Sequence, residues 1–347
     1  VVAGALIPRQ DCGVRAMLSV FALGGVAAAA GRVVRIEQPP RHEVFVPAGT
    51  FWMGVPEDDV DMLFQRCTEF FEPHEVPQFT SPSGQPTTFC EIYRDELLAM
   101  TPHQVYLSAF AIDRDEVTVA DYRKCVIAGA CPLDPLISGD ERYIHDEWPL
   151  VNVTWNEASE LCRWRGGRLP TEAEWERAAR GNSEGPWPWC SEGDKGCVER
   201  PADFNHGQAR TLAMREIDRA TGVVPLHLMG DPDDVDGSVL LARPGSYPWS
   251  EGPYGTRDQA GNVAEWTADA RGDKDATLGY RGLGGEGRPA INPRRDGSGT
   301  DARIVRGGSW RQPSFVARAN VRDPFNLLYL PDRRFSHVGF RCARSTP

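Results

Sequence analysis

A chain of 347 residues with a formal net charge of −11 has room for one large domain or two ordinary ones, and it has no excess of basic residues. That balance excludes nucleic acid and an anionic membrane surface as partners, since both attract Lys and Arg. With 35 Gly, 28 Pro and 10 Trp, the composition predicts little regular structure held by aromatic packing, and the nine Cys point to an oxidising compartment and cross-links.

Arg15 followed by AMLSVFALGGVAAAA (16–30) has the parts of a secretory signal: a positive flank, a short apolar core and the small residues Ala28 to Ala30. The stretch is shorter than the roughly 20 residues of a membrane span. Its rival reading is a buried N-terminal helix. Residues 1–38 thus read as signal peptide and leader, and 39–347 as an exported domain with no membrane span. Removal of the leader takes Cys12 and leaves eight cysteines, an even number.

EVFVPAGTFWMG (43–54) predicts a hairpin with a Pro-Ala-Gly turn. Residues 56–102 are acidic and read as a long surface loop, closed by a guessed Cys67–Cys90 bridge. His103 to Ile112 alternates enough for one strand. Thr118 then starts a helix, TVADYRKCVIAG, that Gly129 stops. Cys125 and Cys131 flank that stop, where a reversal brings them within bonding range; a metal site is the rival, but no His or second Cys pair completes one.

Thr154 stands three before Glu157, and Thr171 three before Glu174. Each is a capping box, in which the Thr hydroxyl and the Glu carboxylate satisfy each other's orphan amides. They predict helices over Asn156–Arg165 and Glu172–Arg180, stopped by Gly166-Gly167 and Gly181. Glu176 and Arg180 read as a surface pair one turn apart. Cys190 and Cys197 flank SEGDKG, a loop that a disulfide would close. Residues 203–243 and 268–301 read as long loops of the same domain.

The string GGRLPTEAEWERAARG (166–181), preceded by FVPAGTFWMG (45–54) and followed by DQAGNVAEW (258–266), RIVRGGSW (303–310) and GFRCAR (339–344), resembles the formylglycine-generating enzyme family, or sulfatase-modifying factors. The resemblance covers roughly residues 43–345. It implies an α+β fold of low regular content with C-type-lectin-like architecture. It also implies a bridge between Cys162 and Cys342. A second bridge common in the family has Ala179 and Arg322 at its two positions.

DQAGNVAEW is the leading metal candidate. Asp258 and Glu265 are hard carboxylate donors, and Gly261 and Val263 offer carbonyls around a tight bend. An all-oxygen set suits calcium, which similar family members bind at these motif positions. The rival is a turn stabilised by its own carboxylates. A second family calcium site corresponds to Asp203, Phe204, Asp236 and Ser238, beside the acidic run that starts at Asp231. That run does not fit EF-hand spacing, because Val235 falls at a ligand position.

Working family enzymes place two cysteines five apart after the Gly-Gly-Ser-aromatic motif, where thiolates bind copper(I), a soft ion. Here those positions are Gln312 and Ala317, so no copper is expected. Ser309, Trp310, Arg311, Gln312, Arg318 and Asn320 remain as a polar, aromatic groove for a peptide, protein or glycan ligand, or as ordinary surface. No catalytic residue stands out. The sequence thus favours an exported, calcium-binding accessory or binding module. A cysteine-independent tailoring enzyme or oxidoreductase is the alternative, and formylglycine generation ranks third.

Overall fold

The computed structural model describes residues 42–346 apart from 72–77, 81–83, 138–140, 195–196, 207–235, 239, 272–279, 281–286 and 325–328. All of them belong to one unit of the chain, Gln38–Pro347. The expected signal peptide lies outside the described residues, as does the acidic run from Asp231 to Val235.

In chain order the elements are β1 (Glu43–Val46), β2 (Gly49–Met53), α1 (Glu57–Phe71), β3 (Gln78–Thr80), β4 (Pro86–Thr88), α2 (Phe89–Ala99), β5 (His103–Leu107), β6 (Phe110–Asp113), α3 (Val119–Ile127) and α4 (Asp134–Ile137). Then come α5 (Trp155–Trp164), α6 (Glu172–Arg180), β7 (Ala264–Ala270), β8 (Ala290–Ile291), β9 (Arg303–Arg306), β10 (Val338–Gly339) and β11 (Ala343–Ser345). The architecture is α+β with modest regular structure.

The hairpin expected over 43–54 does not form. β1 pairs with β6 and β2 with β5, in one common register: Val46 faces Phe110 and Gly49 faces Leu107. The stretch is one strand interrupted at Pro47-Ala48. Its partner, expected as a single strand over 103–112, is interrupted opposite it at Ser108-Ala109. Pro47 has no amide to donate, so the ladder breaks there without turning back. β11 adds to β6 and β8 to β5, giving the sheets β1-β6-β11 and β2-β5-β8; β10-β7-β9 forms a third.

The capping boxes are present as expected. Thr154 and Thr171 accept from the Glu157 and Glu174 amides, and each Glu reaches back to its Thr. Ala158, Leu161 and Cys162 of α5 are buried against Trp266, Val338 and Phe340 in the largest core cluster. A fully buried Leu such as Leu161 contributes roughly 1.5–3 kcal/mol. The Cys162–Cys342 bridge ties α5 to the residue before β11. Cys125–Cys131, Cys190–Cys197 and Cys67–Cys90 are also formed.

Residues 56–102 are not the surface loop expected. They build α1 and α2, clipped together by Cys67–Cys90. Val60, Leu63, Cys67, Phe89, Tyr93 and Leu97 bury one face against Phe315, Val316 and Val321. The apolar residues of α1 recur at helical spacing, from Val60 through Leu63 and Phe64 to Cys67, a signal that the acidic composition had masked.

Glu176 and Arg180 are not a surface pair. Every residue of α6 is buried. Glu176 has no exposed surface; it receives Arg180 and the Gly54 amide on one oxygen and Arg306 on the other. The helix is charged on several sides and enclosed, so its charges are paired inside the protein.

Candidate functional site

Gly307 and Gly308 both take positive φ and turn β9 into the segment 309–322. A Cβ on Gly308 would stand 2.7 Å from the Ala317 Cα, so the first Gly-Gly-Ser residues close directly onto the second cysteine-equivalent position. Gln312, at the first such position, is buried. Its Oε1 accepts Ser309 Oγ at 2.9 Å, and its Nε2 donates to Asp323 Oδ2. Tyr329, which adjoins Asp323, meets His337 Nε2 at 3.2 Å. The place that thiolates would occupy is thus filled by a neutral amide with both ends bonded and by a methyl group.

The six residues expected to line an open groove are all buried. The α1–α2 pair roofs the 315–321 part of this segment. Arg318 pairs with Asp59 of α1, and Tyr93 of α2 donates to the Phe315 carbonyl at 3.2 Å. Phe70 and Phe315 meet edge to face at 5.9 Å. Asn320 Nδ2 donates to the Gly54 carbonyl at 3.4 Å, Trp310 Nε1 to the Ser336 carbonyl at 3.3 Å, and Arg311 Nη1 to Ser336 Oγ at 2.7 Å. Burial pushes the Arg311 guanidinium down to about 10.

The DQAGNVAEW loop carries Asp258, Gly261 and Asn262 at positive φ. Gly261 is required: a Cβ there would stand 2.0 Å from the Asn205 carbonyl oxygen. Through this approach the two expected calcium loops, 203–206 and 258–265, lie against each other. Asn262 is the hub between them. Its amide donates to the Asn205 carbonyl at 2.7 Å, and its side chain joins Asn205, Ala242 and Glu116.

Asp258 accepts from the Gly245 amide, and Glu116 accepts from the Val263 amide at 3.2 Å. Both oxygens of Glu265 meet Arg341, at 2.6 to 2.9 Å, and one also meets Trp175 Nε1 at 2.8 Å. Burial pushes Asp258 up to about 6. Burial, and then the charges of Asp258 and Glu265, hold Glu116 well above the usual carboxylate range. Of these three buried carboxylates only Glu265 is bonded to an arginine, Arg341, while Arg341 and Arg257 act on Asp258 without a hydrogen bond to it. The Asn205 Oδ1 and Gln259 Oε1 acceptors in this region meet no donor among the described residues. An excess of buried negative charge with unmet oxygens fits a hard cation. No three His, Cys, Asp or Glu side chains among the described residues converge as a ligand set, so backbone or amide oxygens would complete the sphere.

In the second set, Asp236 accepts from the His206 amide at 2.9 Å and the Ser238 amide at 2.8 Å, and Ser238 Oγ accepts from Tyr247 at 2.7 Å. Asp203 and Phe204 lead into His206 on the adjoining loop. Glu116, Asn205, Asn262 and Arg341 are not singled out by the sequence because their partners lie far along the chain, and Asp323, 11 residues from Gln312, stands in no motif that would mark it. The sequence did single out Ala179 and Arg322. Both are buried, and Arg322 gives Nε and Nη2 to Glu172 at 2.6 and 2.7 Å. Burial raises Glu172, but Arg322 and Arg306 outweigh it and hold the carboxyl below its usual range.

A model of the sulfatase-modifying factor enzyme 1-like domain matches residues 30–346. The mouse (Mus musculus) protein named inactive C-alpha-formylglycine-generating enzyme 2 is 33% identical over 201 residues, which are 57% of this chain and 50% of that protein. The formylglycine-generating enzyme of Bos taurus is 30% identical over 323 residues, 88% of this chain and 75% of that protein. Among solved structures, PvdO from Pseudomonas aeruginosa has a TM-score of 0.54 at 24% identity, covering 88% of this chain and 94% of its own, a likeness of fold. The match spans about half the length of the mouse relative. With the five motif strings in order and the family model matched along the whole described part of the chain, this protein belongs to the sulfatase-modifying factor enzyme 1-like family.

Proposed function

We propose that this chain is an exported binding or accessory module of its family, stabilised by calcium, which has given up the thiol-based oxidation that copper(I) supports in working members. The observation that carries this reading is the fate of its sulfur. All eight cysteines from Cys67 to Cys342 are held in disulfides, so no thiolate remains among the described residues. Gln312 and Ala317 close the remaining space with an amide and a methyl. A soft ion prefers sulfur donors, which this environment does not offer.

Export is supported by those four bridges, which suit an oxidising compartment. No helix among the described residues is long and apolar enough to cross a membrane. The name of the mouse relative also supports a non-catalytic role, since it describes that protein as inactive.

Calcium would be held by Asp258, Glu265 and the carbonyls of Gly261 and Val263, where it would neutralise buried carboxylate charge. Asp203, Phe204, Asp236 and Ser238 form a second candidate sphere. The test joins two readouts on protein exported through an oxidising compartment. With copper(I) and a Cys-x-Pro-x-Arg peptide, no aldehyde is expected; aldehyde formation would overturn the non-catalytic reading. The melting temperature is expected to rise in calcium relative to chelator, and an unchanged value would remove calcium from the account.

A further inference from the structure

Among the described residues four arginines meet a carboxylate along the edge formed by Nε and Nη2. Arg180 gives it to a single oxygen of Glu176, at 3.1 and 2.7 Å, and the other three give it to both oxygens. Arg341 gives that edge to Glu265, Arg322 to Glu172 and Arg257 to Asp115, all between 2.6 and 2.9 Å. Arg311 has the same edge and no such partner. Its Nη1 is held by Ser336, while Nε and Nη2 are shut off from solvent and meet no acceptor among the described residues. Six other arginines leave one buried nitrogen unmet; among the described residues Arg311 alone leaves two.

The side chain is only 5% exposed, and the groups that act on its charge are the phenols of Tyr143 and Tyr329. An enclosed guanidinium without a counter-charge is strongly unfavourable. Its surroundings are aromatic. The guanidinium carbon lies 5.4 Å from the Trp310 ring, which is itself 6.1 Å from Tyr143. Trp310 and Tyr143 belong to an apolar cluster with Val151, Leu241 and Val263.

We propose that Arg311 anchors a carboxylate-binding site, taking the planar carboxylate of an acidic ligand in a two-point contact through Nε and Nη2, with Trp310 and Tyr143 as the apolar wall. A flat two-oxygen group matches the fork as no spherical ion does. Because the edge is closed to solvent, a ligand reaches it only when the side chains around it move aside. The site deepens the binding-module reading and rests on it. The aldehyde assay tests that reading, whereas the titration below tests this site alone.

The probe is benzoylglycine, titrated calorimetrically into the full chain, with its amide as control. The acid is expected to bind at one site and the amide at least about tenfold more weakly. Arg311→Lys keeps the charge and loses the fork, and is expected to weaken the acid about tenfold. Arg311→Met is expected to erase the difference between acid and amide while melting no lower than the parent without ligand, because it removes an unpaired buried charge. Equal or absent binding of acid and amide by the parent chain overturns the proposal. So does an acid preference that survives in Arg311→Met, or a ligand-free Arg311→Met chain that melts lower, which would make the arginine a structural member. Tighter binding of sulfate than of benzoylglycine overturns the choice of carboxylate.

Discussion

Gln312 shows how one side chain can close a site that its position would otherwise leave open. It is buried, accepts from Ser309 and donates to Asp323. Gln312→Ala removes both bonds and leaves Ser309 and Asp323 short of a partner. The expected loss is about 1–3 kcal/mol in chemical denaturation; an unchanged midpoint would mean that the amide only fills space. Asp269 carries the clearest pH dependence. Burial, then the charge of Glu172, pushes its carboxyl up to about 6. A raised acid favours the folded state when protonated. Its contribution is therefore fully present below the unfolded value near 3.8 and is lost as pH rises through about 6. Stability measured against pH should carry this fall between roughly pH 4 and 6, and Asp269→Asn should flatten that part of the curve whatever its absolute stability. Gln312 and Ala317 were legible in the sequence because the motif before them fixes their place. Glu116 was not, since it reaches Asn262 from 146 residues away, and Arg341 reaches Glu265 from 76.

At the scale of elements, the local signals were the dependable ones. Thr154 with Glu157 and Thr171 with Glu174 each named a helix start that the structure contains, because a capping box is complete within four residues. Strand partners were less legible. Pro47 read as the corner of a hairpin, yet it interrupts a ladder whose other strand lies some 60 residues on. The same sequence cue serves a turn or a break, and only the distant strand decides. The α1–α2 pair was misread from its acidity, although its apolar spacing was visible. That pair covers the segment carrying Arg318 and Phe315. Replacing Cys67 and Cys90 by Ser opens a loop with sequence separation 23, worth about 3 kcal/mol in the chain-entropy model. Hydrogen exchange should then speed up in α1, α2 and residues 313–321 and stay unchanged in α5 and α6. Equal acceleration everywhere would show that the roof does not open as a unit.

Across the whole molecule, the Cys162–Cys342 bridge spans 180 residues and joins α5 to the residue just before the strand that completes the first sheet. Loop-closure entropy gives it about 5 kcal/mol as an upper figure. Its removal should lower the unfolding midpoint more than loss of Cys67–Cys90, and the reverse order would place the main restraint in the roof. The ordered motifs made the family legible, because each is a short string tied to one bend or cap. The buried charge network was not legible. Glu172, Glu176, Arg306 and Arg322 look like ordinary surface residues until α6 is seen to be enclosed on every side.

The central claim, a domain that kept its oxygen-lined cation loops and lost its sulfur centre, is tested most directly by metal content. Mass spectrometry would be applied to protein exported through an oxidising compartment, never exposed to chelator and offered copper(I) separately. One or two equivalents of calcium and no copper or iron are predicted. Stoichiometric copper or iron would contradict the account, because it would require a redox centre that Gln312, Ala317 and the four disulfides do not provide.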